Sequence, residues 1–130
     1  MRRMLLVVSV LAGCPSEPPP ACITVDTSCA PGYTPTFDNV YANTIEAGCG
    51  ARMSSCHSSS GEGGVSFADQ ATAHAQLTAR GLVKPGDAAC SEFVVRTSSP
   101  GTDYQMPPGD ALSEPARCAL IQWVQQGAMP

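Results

Sequence analysis

The sequence predicts a small, mostly helical domain, an all-α fold of about four short helices. Two observations carry this prediction. Apolar residues recur at helical spacing in short segments, and most of these segments start at Ser or Thr and end at Gly, which favour helix termini. The chain has 130 residues, of which 43% are hydrophobic and 14% charged, so we expect one small domain with a modest core.

The first helix is predicted to follow Thr36, which is a good N-cap residue. Glycines at positions 48 and 50 are expected to end it and to deliver the chain to Cys49. The apolar residues that share one face of this helix are Phe37, Val40, Tyr41 and Ile45.

Two further helices are predicted in the middle of the chain. An alanine-rich segment that starts at Ser66 and is closed by Gly81 predicts the second helix, with His74 exposed on it. A Pro-Gly-Asp turn then precedes Ser91, the expected N-cap of a short third helix that ends near Arg96. Loops are expected between the first and second helices and from residue 98 to 112, where Gly, Pro and Ser are abundant.

The last helix is predicted from Ser113 to Gly127, with Pro115 in its first turn, where proline is favoured. Its apolar residues are Leu120, Ile121, Trp123 and Val124. We expect these side chains to join the core, with Trp123 in it in any case.

The N-terminus is typical of an exported protein. Two arginines precede a short apolar run, which is too brief to span a bilayer, and the run ends in "LAGC" at residues 11 to 14. These four residues resemble the bacterial lipobox, so residues 1–13 are predicted to be a lipoprotein signal peptide and Cys14 to carry lipid. The mature chain would then be anchored to a membrane in the cell envelope, on the periplasmic side or at the outer membrane.

Residues 14–35 are predicted to be a tether, because prolines dominate its first part and proline-rich chain stays extended. Cys22 and Cys29 bracket a short segment within it and are expected to close a small disulfide loop. The folded domain is then residues 36–130.

Composition argues against several classes of function. The net charge of −4 is spread without a clustered basic face, so no nucleic-acid partner is expected. We find no paired carboxylates suited to acid–base work, no nucleophile with a base partner, and no Gly-rich phosphate loop after a strand. Only two histidines are present, which limits zinc chemistry. An enzyme is therefore not the expected class.

The stretch "CGARMSSCHSSSGEGG" at residues 49 to 64 contains half of a haem attachment signature. Cys56 and His57 supply the last two residues of C-x-x-C-H, but Met53 occupies the position of the first cysteine. The nearest earlier cysteine is Cys49, which gives C-x6-CH. A glycine at position 50 makes a bulge of the extra residues easier.

Further segments follow in a recognisable order: "KPGD" at 84–87 and then Ser91, "MPPG" at 106–109 and "WVQQGA" at 123–128. Together with "SCH" at 55–57 they resemble the cytochrome c-like domains of secreted bacterial proteins, over roughly residues 36 to 128. The resemblance implies a single haem c bound through cysteine thioethers, with His57 and Met106 as axial ligands of the iron. It therefore implies a one-electron carrier that works with a redox partner protein.

The resemblance also implies roles for other side chains. Apolar residues that could wall the macrocycle are Phe37, Tyr41, Leu77, Phe93 and Trp123. Arg96 and Lys84 are both candidates to pair with the haem propionates, and the sequence does not select between them.

Cysteine parity leaves two alternatives open. If Cys14 is lipidated, six cysteines remain. The expected pairs are Cys22 with Cys29 and Cys90 with Cys118. Cys49 and Cys56 then either both bond to haem or form a third disulfide, whereas attachment through Cys56 alone would strand Cys49. The alternative to an electron carrier is therefore a haem-free, disulfide-stapled lipoprotein of the same fold with a structural or binding role.

Overall fold

A computed structural model describes residues 18–50, 56–59 and 61–130. Helix α1 is one continuous segment, with α-helical turns at Phe37–Val40 and Glu46–Gly48 around a π-helical turn at Tyr41–Ile45. Helix α2 spans Gln70–Ala79, α3 spans Glu92–Thr97 and α4 spans Glu114–Gln125. A short 3-10 turn lies at Glu62–Gly64. No strand occurs in these residues, so the predicted small all-α fold is confirmed.

Nothing in the described ranges bears on the predicted signal peptide or on lipidation of Cys14, because residues 1–17 lie outside them. None of the helices in the described part of the chain is both long and apolar enough to cross a membrane.

Helix α1 begins as predicted. The side chain of Thr36 accepts a hydrogen bond from the amide of Asn39 at 3.4 Å, which satisfies one of the amides left unpaired at a helix start. The π-helical turn at Tyr41–Ile45 was not predicted, because apolar spacing does not distinguish it from an α-helical turn. At the end of the helix, the amides of Cys49 and Gly50 both donate to the carbonyl of Ile45 at 2.8 Å.

Helix α2 starts later than predicted. Its N-cap is Asp69 and not Ser66: the Asp69 carboxylate accepts from the amide of Thr72 at 2.9 Å, and this hydrogen bond lowers the pKa of Asp69. Residue Phe67 lies outside the helix because its side chain is buried and its amide donates to the carbonyl of His57 at 2.6 Å. Tertiary contacts thus override the helical propensity of the segment's first residues.

Helices α3 and α4 begin at the predicted N-caps, Ser91 and Ser113. The hydroxyl of Ser91 donates to the carbonyl of Asp87 at 2.7 Å and accepts from the amide of Lys84 at 2.8 Å, so it fixes the Pro-Gly-Asp turn and does not cap α3. Gly127 follows α4 with φ of +111°, a conformation that glycine adopts without strain.

One apolar core joins the four helices. Helix α4 packs against α1 and α3, and the rings of Phe37 and Trp123 lie 5.0 Å apart between their centroids. The largest side chains in the core are Phe37, Tyr41, Ile45, Phe67, Leu77, Phe93, Leu120, Ile121 and Trp123. The prediction that Trp123 is a core residue is confirmed.

The prediction that His74 is exposed is wrong. Its side chain is half-buried, its Nε2 atom lies 2.9 Å from the carbonyl oxygen of Ala128, and its ring meets Phe37 edge-on at 4.9 Å. The alanines on either side of His74 gave no indication of this contact. Its partners come from α1 and from the chain after α4, which are distant in sequence.

The predicted disulfide pairing is also wrong. Cys22 bonds to Cys90 and Cys29 bonds to Cys118, with Cα–Cα distances of 4.1 and 5.8 Å. The expected pairs, Cys22 with Cys29 and Cys90 with Cys118, are therefore not formed. The four cysteines named as disulfide candidates are all bonded, but each bond connects the N-terminal segment to the helical domain.

The backbone explains this pairing. The amide of Ile23 donates to the carbonyl of Ala89 at 2.9 Å, which brings Cys22 beside Cys90. The side-chain amide of Gln122 donates to the carbonyl of Cys29 at 2.9 Å and holds it against α4. From Cys22 onward, the segment assigned to the tether thus lies on the domain.

Candidate functional site

Cys49 lies at the end of α1 with its side chain in the core. Only 6% of the residue is exposed, and its Sγ atom lies 3.9 Å from the carbonyl oxygen of Thr44, the range of a weak thiol hydrogen bond. Burial, with a smaller contribution from nearby Cys56, raises the pKa of Cys49 to about 11. The thiol therefore stays protonated, and weakly nucleophilic, near neutral pH.

Cys49 is also joined to His57 through the backbone. The amide of His57 donates to the carbonyl of Cys49 at 3.2 Å. In a regular α-helical turn this bond connects residues four apart, which is the separation of the first cysteine and the histidine in C-x-x-C-H. Here it connects residues eight apart. The chain between them thus accommodates four extra residues and still closes the same bond.

The imidazole of His57 is held by one of its two ring nitrogens. Its Nδ1 atom lies 3.2 Å from the carbonyl oxygen of Val65. A carbonyl oxygen only accepts hydrogen bonds, so this contact places a proton on Nδ1 and makes Nε2 the nitrogen suited to a metal ion. An Nδ1–H to carbonyl bond of this kind orients many metal-binding histidines.

Aromatic side chains support His57 from the core. Its ring lies 5.2 Å from that of Phe67, which in turn meets Phe93 edge-on at 6.3 Å. The carbonyl of Phe67 accepts from the hydroxyl of Tyr41 at 3.3 Å, and its amide donates to the carbonyl of His57. These contacts connect three separate segments at one place: α1, the residues around His57 and the residues around Phe67.

Gly50 allows this close approach. A Cβ atom at position 50 would lie 2.9 Å from the carbonyl oxygen of Phe67, closer than real side chains come to backbone. The neighbouring Gly48 has open space in the same direction. The glycine that follows Cys49 is therefore required by packing against Phe67.

Met106 lies in the loop between α3 and α4. Its amide donates to the carbonyl of Arg96 at 3.0 Å, and its side chain is half-buried and lines a cavity of about 310 Å³ formed by residues of the same loop. A second cavity of about 220 Å³ lies between Phe37, Trp123 and the end of the chain. Neither wall includes Cys49, Cys56 or His57, so His57 and Met106 share neither of these two cavities.

Of the two candidates for a propionate partner, Arg96 already has partners in the structure and Lys84 is exposed. Arg96 forms an ion pair with Glu92 at 2.8 Å, and its guanidinium group also donates to the carbonyl of Tyr104 at 3.5 Å. Lys84 is exposed on the Pro-Gly-Asp turn. Both remain candidates for a propionate partner, with Arg96 the more constrained of the two.

Sequence reasoning missed the residues that hold the candidate ligands. The carbonyl of Val65 orients the His57 ring, the amide of Phe67 donates to the His57 carbonyl, and the Tyr41 hydroxyl donates to the Phe67 carbonyl. Backbone groups leave no residue-type signal in a sequence. Gln105, next to Met106, is buried and forms three side-chain hydrogen bonds. The sequence signal that could have pointed to Gln105 was its position directly before Met106 and Pro107.

The thiols of Cys49 and Cys56 are the two cysteine side chains in the described residues that are not in disulfides. No group of three or more His, Cys, Asp or Glu side chains in the described part of the chain is placed to hold a metal ion.

Comparison with known families bears on the class of protein. The family model described as Planctomycete cytochrome C matches residues 54–110. The match covers somewhat under half of the chain and includes Cys56, His57 and Met106, but it begins after Cys49. No curated protein and no solved structure shows a significant match to this chain.

The family match and the helical fold together support a cytochrome c-like domain. They also support an electron carrier as the kind of protein to which this domain is similar.

Proposed function

We propose that this protein is an exported, lipid-anchored electron carrier with one haem c. In this proposal Cys49 and Cys56 form the two thioethers, His57 is the proximal axial ligand and Met106 the distal one. A haem with these two axial ligands takes up and releases one electron and has no open iron position for substrate. Its function is therefore electron transfer to a redox partner protein and not catalysis.

The observation that carries the proposal is the arrangement of His57. Its amide is bonded to the carbonyl of Cys49, and its Nδ1 atom is bonded to the carbonyl of Val65. The first contact brings together the two ends of the C-x6-CH segment. The second fixes the ring orientation and reserves Nε2 for a metal. Both are properties expected of a haem-attachment motif.

The cysteines also fit covalent attachment of haem. Among the described residues, two disulfides bond four cysteines, and the two cysteines left as thiols are those of the C-x6-CH segment. Cys49 is buried and its raised pKa keeps it protonated, so it resists oxidation and disulfide exchange in an oxidising compartment. The Cys49 sulfur is thus preserved as a thiol until it forms the thioether.

In this proposal, haem binding requires a rearrangement of the apolar core. Side chains expected to wall the macrocycle are all buried against one another: Phe37, Tyr41, Leu77, Phe93 and Trp123. The two cavities described above lie away from His57, and in this proposal a macrocycle separates these side chains as it enters. Haem attachment would therefore be coupled to rearrangement of the core, and the same apolar side chains would then exclude water from the ring.

The lipid anchor is proposed from "LAGC" and from the tether that follows it. Eight residues separate Cys14 from Cys22, which spans at most roughly 26 to 29 Å when fully extended. Cys22 is bonded to Cys90 at the start of the third helix. A lipid on Cys14 would consequently hold Cys22 within about 29 Å of the membrane surface.

The alternative is a haem-free lipoprotein with a structural or binding role. It is favoured by the same closed core, in which Cys49 is already packed, and by the two disulfides that stabilise the domain without a cofactor. In that case Cys49 and Cys56 would serve as ordinary thiols or join under oxidation.

The experiment is expression together with a bacterial haem-attachment system. We expect wild-type protein to gain the mass of one haem, His57→Ala to lose the low-spin spectrum, and Met106→Ala to keep the haem with a lower reduction potential. His74→Gln is the matched control, because it removes the other histidine of the chain and should leave the spectrum intact. Colourless wild-type protein under these conditions would decide for the alternative.

A further inference from the structure

The loop from residue 101 to 109 is organised by one side chain, that of Gln105. The amide of Gly101 donates to its Oε1 atom at 2.7 Å, and its Nε2 atom donates to the carbonyls of Pro107 and Gly109 at 2.8 and 2.9 Å. The residue is 8% exposed. A single carboxamide thus connects the start of the loop to its end, on either side of Met106.

These contacts settle the orientation of the carboxamide. A backbone amide only donates and a carbonyl only accepts, so Oε1 has to face Gly101 and Nε2 has to face the two carbonyls. A carboxylate at this position would keep the bond to Gly101 but would set a negative oxygen against the carbonyls of Pro107 and Gly109. Glutamine is therefore required here, although glutamate has nearly the same shape.

The backbone of Met106 is held from the other side by α3. Its amide donates to the carbonyl of Arg96, and the Arg96 guanidinium group donates to the carbonyl of Tyr104. The amide of Gln105 itself donates to the carbonyl of Thr102 at 3.2 Å. The residue that carries the sulfur is consequently held between a helix and the Gln105 carboxamide.

We propose that Gln105 is a positioning residue for Met106, which fixes the loop so that the methionine sulfur is presented at one place. This inference rests on the proposed function, since the sulfur needs a fixed place only if it ligates iron. Gln105 does not touch the haem in this account and acts only through the loop. Without the Gln105 carboxamide, the hydrogen bonds that connect Gly101 to Pro107 and Gly109 are lost.

The first test uses the haem-free chain. In Gln105→Glu and Gln105→Leu we expect the amide of Met106 to exchange with solvent about tenfold faster or more, because buried donors and acceptors of the loop lose their partners. Gln125→Glu is the matched control: Gln125 also donates to a backbone carbonyl, that of Gly86 at 2.8 Å, but on a different turn. Unchanged exchange at Met106 in both Gln105 variants would overturn the inference.

The second test uses the haem-loaded protein and reads the ligand directly. Methionine bound to ferric haem produces a weak charge-transfer band at the red end of the spectrum. We expect Gln105→Glu to keep the covalent haem but lose most of this band and lower the reduction potential, while Gln125→Glu keeps both. A full band in the Gln105 variants would overturn the inference. Wild-type protein without haem would instead refute the proposed function, and the exchange test would still decide whether Gln105 fixes the loop.

Discussion

The amide of His57 donates a hydrogen bond to the carbonyl of Cys49 across 3.2 Å, although eight positions separate the two residues. A standard C-x-x-C-H segment would make this bond within one helical turn. The four extra residues therefore do not separate the cysteine from the histidine. They lengthen the connection, and the two ends still meet beside Phe67, whose amide donates to the carbonyl of His57.

Gly50→Ala should disturb this junction. The new Cβ atom would lie 2.9 Å from the carbonyl oxygen of Phe67, so the backbone has to move. We expect a loss of about 1 to 3 kcal/mol in the free energy of unfolding, measured by denaturant titration. Gly48→Ala is the control, because its Cβ atom meets nothing within 4 Å; it should be neutral or stabilising by up to about 1 kcal/mol. Equal effects of the two substitutions would contradict the close approach of Gly50 and Phe67.

Tryptic peptides under non-reducing conditions distinguish the observed disulfides from the pairs expected from the sequence, Cys22 with Cys29 and Cys90 with Cys118. Cys22 and Cys29 share one peptide that ends at Arg52, while Cys90 and Cys118 lie on separate peptides that are divided by cleavage at Arg96 and Arg117. We expect both later peptides to be linked to the first. A species that joins the Cys90 peptide to the Cys118 peptide alone would contradict the pairing.

Loss of either disulfide should be costly because each closes a long loop. The bonded residues are 68 and 89 positions apart, for which chain entropy corresponds to about 4 kcal/mol each. The paired replacement Cys22→Ala with Cys90→Ala should lower the free energy of unfolding by roughly this amount, in the absence of reductant. The wild type treated with reductant is the comparison, and it should lose more, since both bonds break.

Cys49 should make the haem-free protein less stable at high pH. Burial raises its pKa from 9.0 to about 11, so the folded state retains a proton that the unfolded state releases between these values. The contribution of Cys49 to the free energy of unfolding is fully present below about pH 9. It decreases by roughly 2 to 3 kcal/mol as the pH rises toward 11. Denaturant titrations at pH 8 and pH 10.5 should show a smaller drop in Cys49→Ala than in wild type.

Tyr33 acts in the same direction and provides the control. Burial raises its pKa, and its hydroxyl is paired with that of Thr44. Tyr33→Phe therefore removes the Tyr33 part of the alkaline drop, including its repulsion from the Cys49 thiolate, and leaves the burial of Cys49 in place. An alkaline drop that is identical in wild type and Cys49→Ala would show that the Cys49 thiol is not buried as described.

Cys14→Ser should release the protein from membranes. The expectation follows from "LAGC" at the end of a short apolar run, since serine cannot receive the lipid that the lipobox directs to cysteine. Wild-type protein should partition into the detergent phase and the variant into the aqueous fraction. A serine variant that remains with the membrane would contradict the anchor.

Much of the fold could be predicted from the sequence because local signals specify it. Ser, Thr and Gly mark the ends of three of the four helices, and apolar spacing identified the face of α1 that carries Phe37 and Ile45. The start of α2 could not be predicted, since Phe67 leaves the helix for a hydrogen bond to His57 that is distant in sequence.

The disulfide pairing and the contacts that orient His57 could not be predicted from the sequence either, because both depend on backbone contacts between distant segments. Cys22 has a closer partner along the chain in Cys29, and only the backbone pairing of Ile23 with Ala89 directs it to Cys90. Likewise, Val65 orients His57 through its carbonyl, a group that every residue has. Candidate ligands could be named from their residue types, but the contacts that orient them could not.

The central claim is that one haem bridges Cys49 and Cys56, and trypsin separates these two cysteines. Cleavage after Arg52 leaves Cys49 on the N-terminal peptide and Cys56 on the peptide that runs from Met53 to Arg80. We expect protein produced with haem-attachment machinery, then reduced and digested, to yield both peptides joined in one mass through a single haem. Two separate, haem-free peptides, or a haem on the Cys56 peptide alone, would contradict the account.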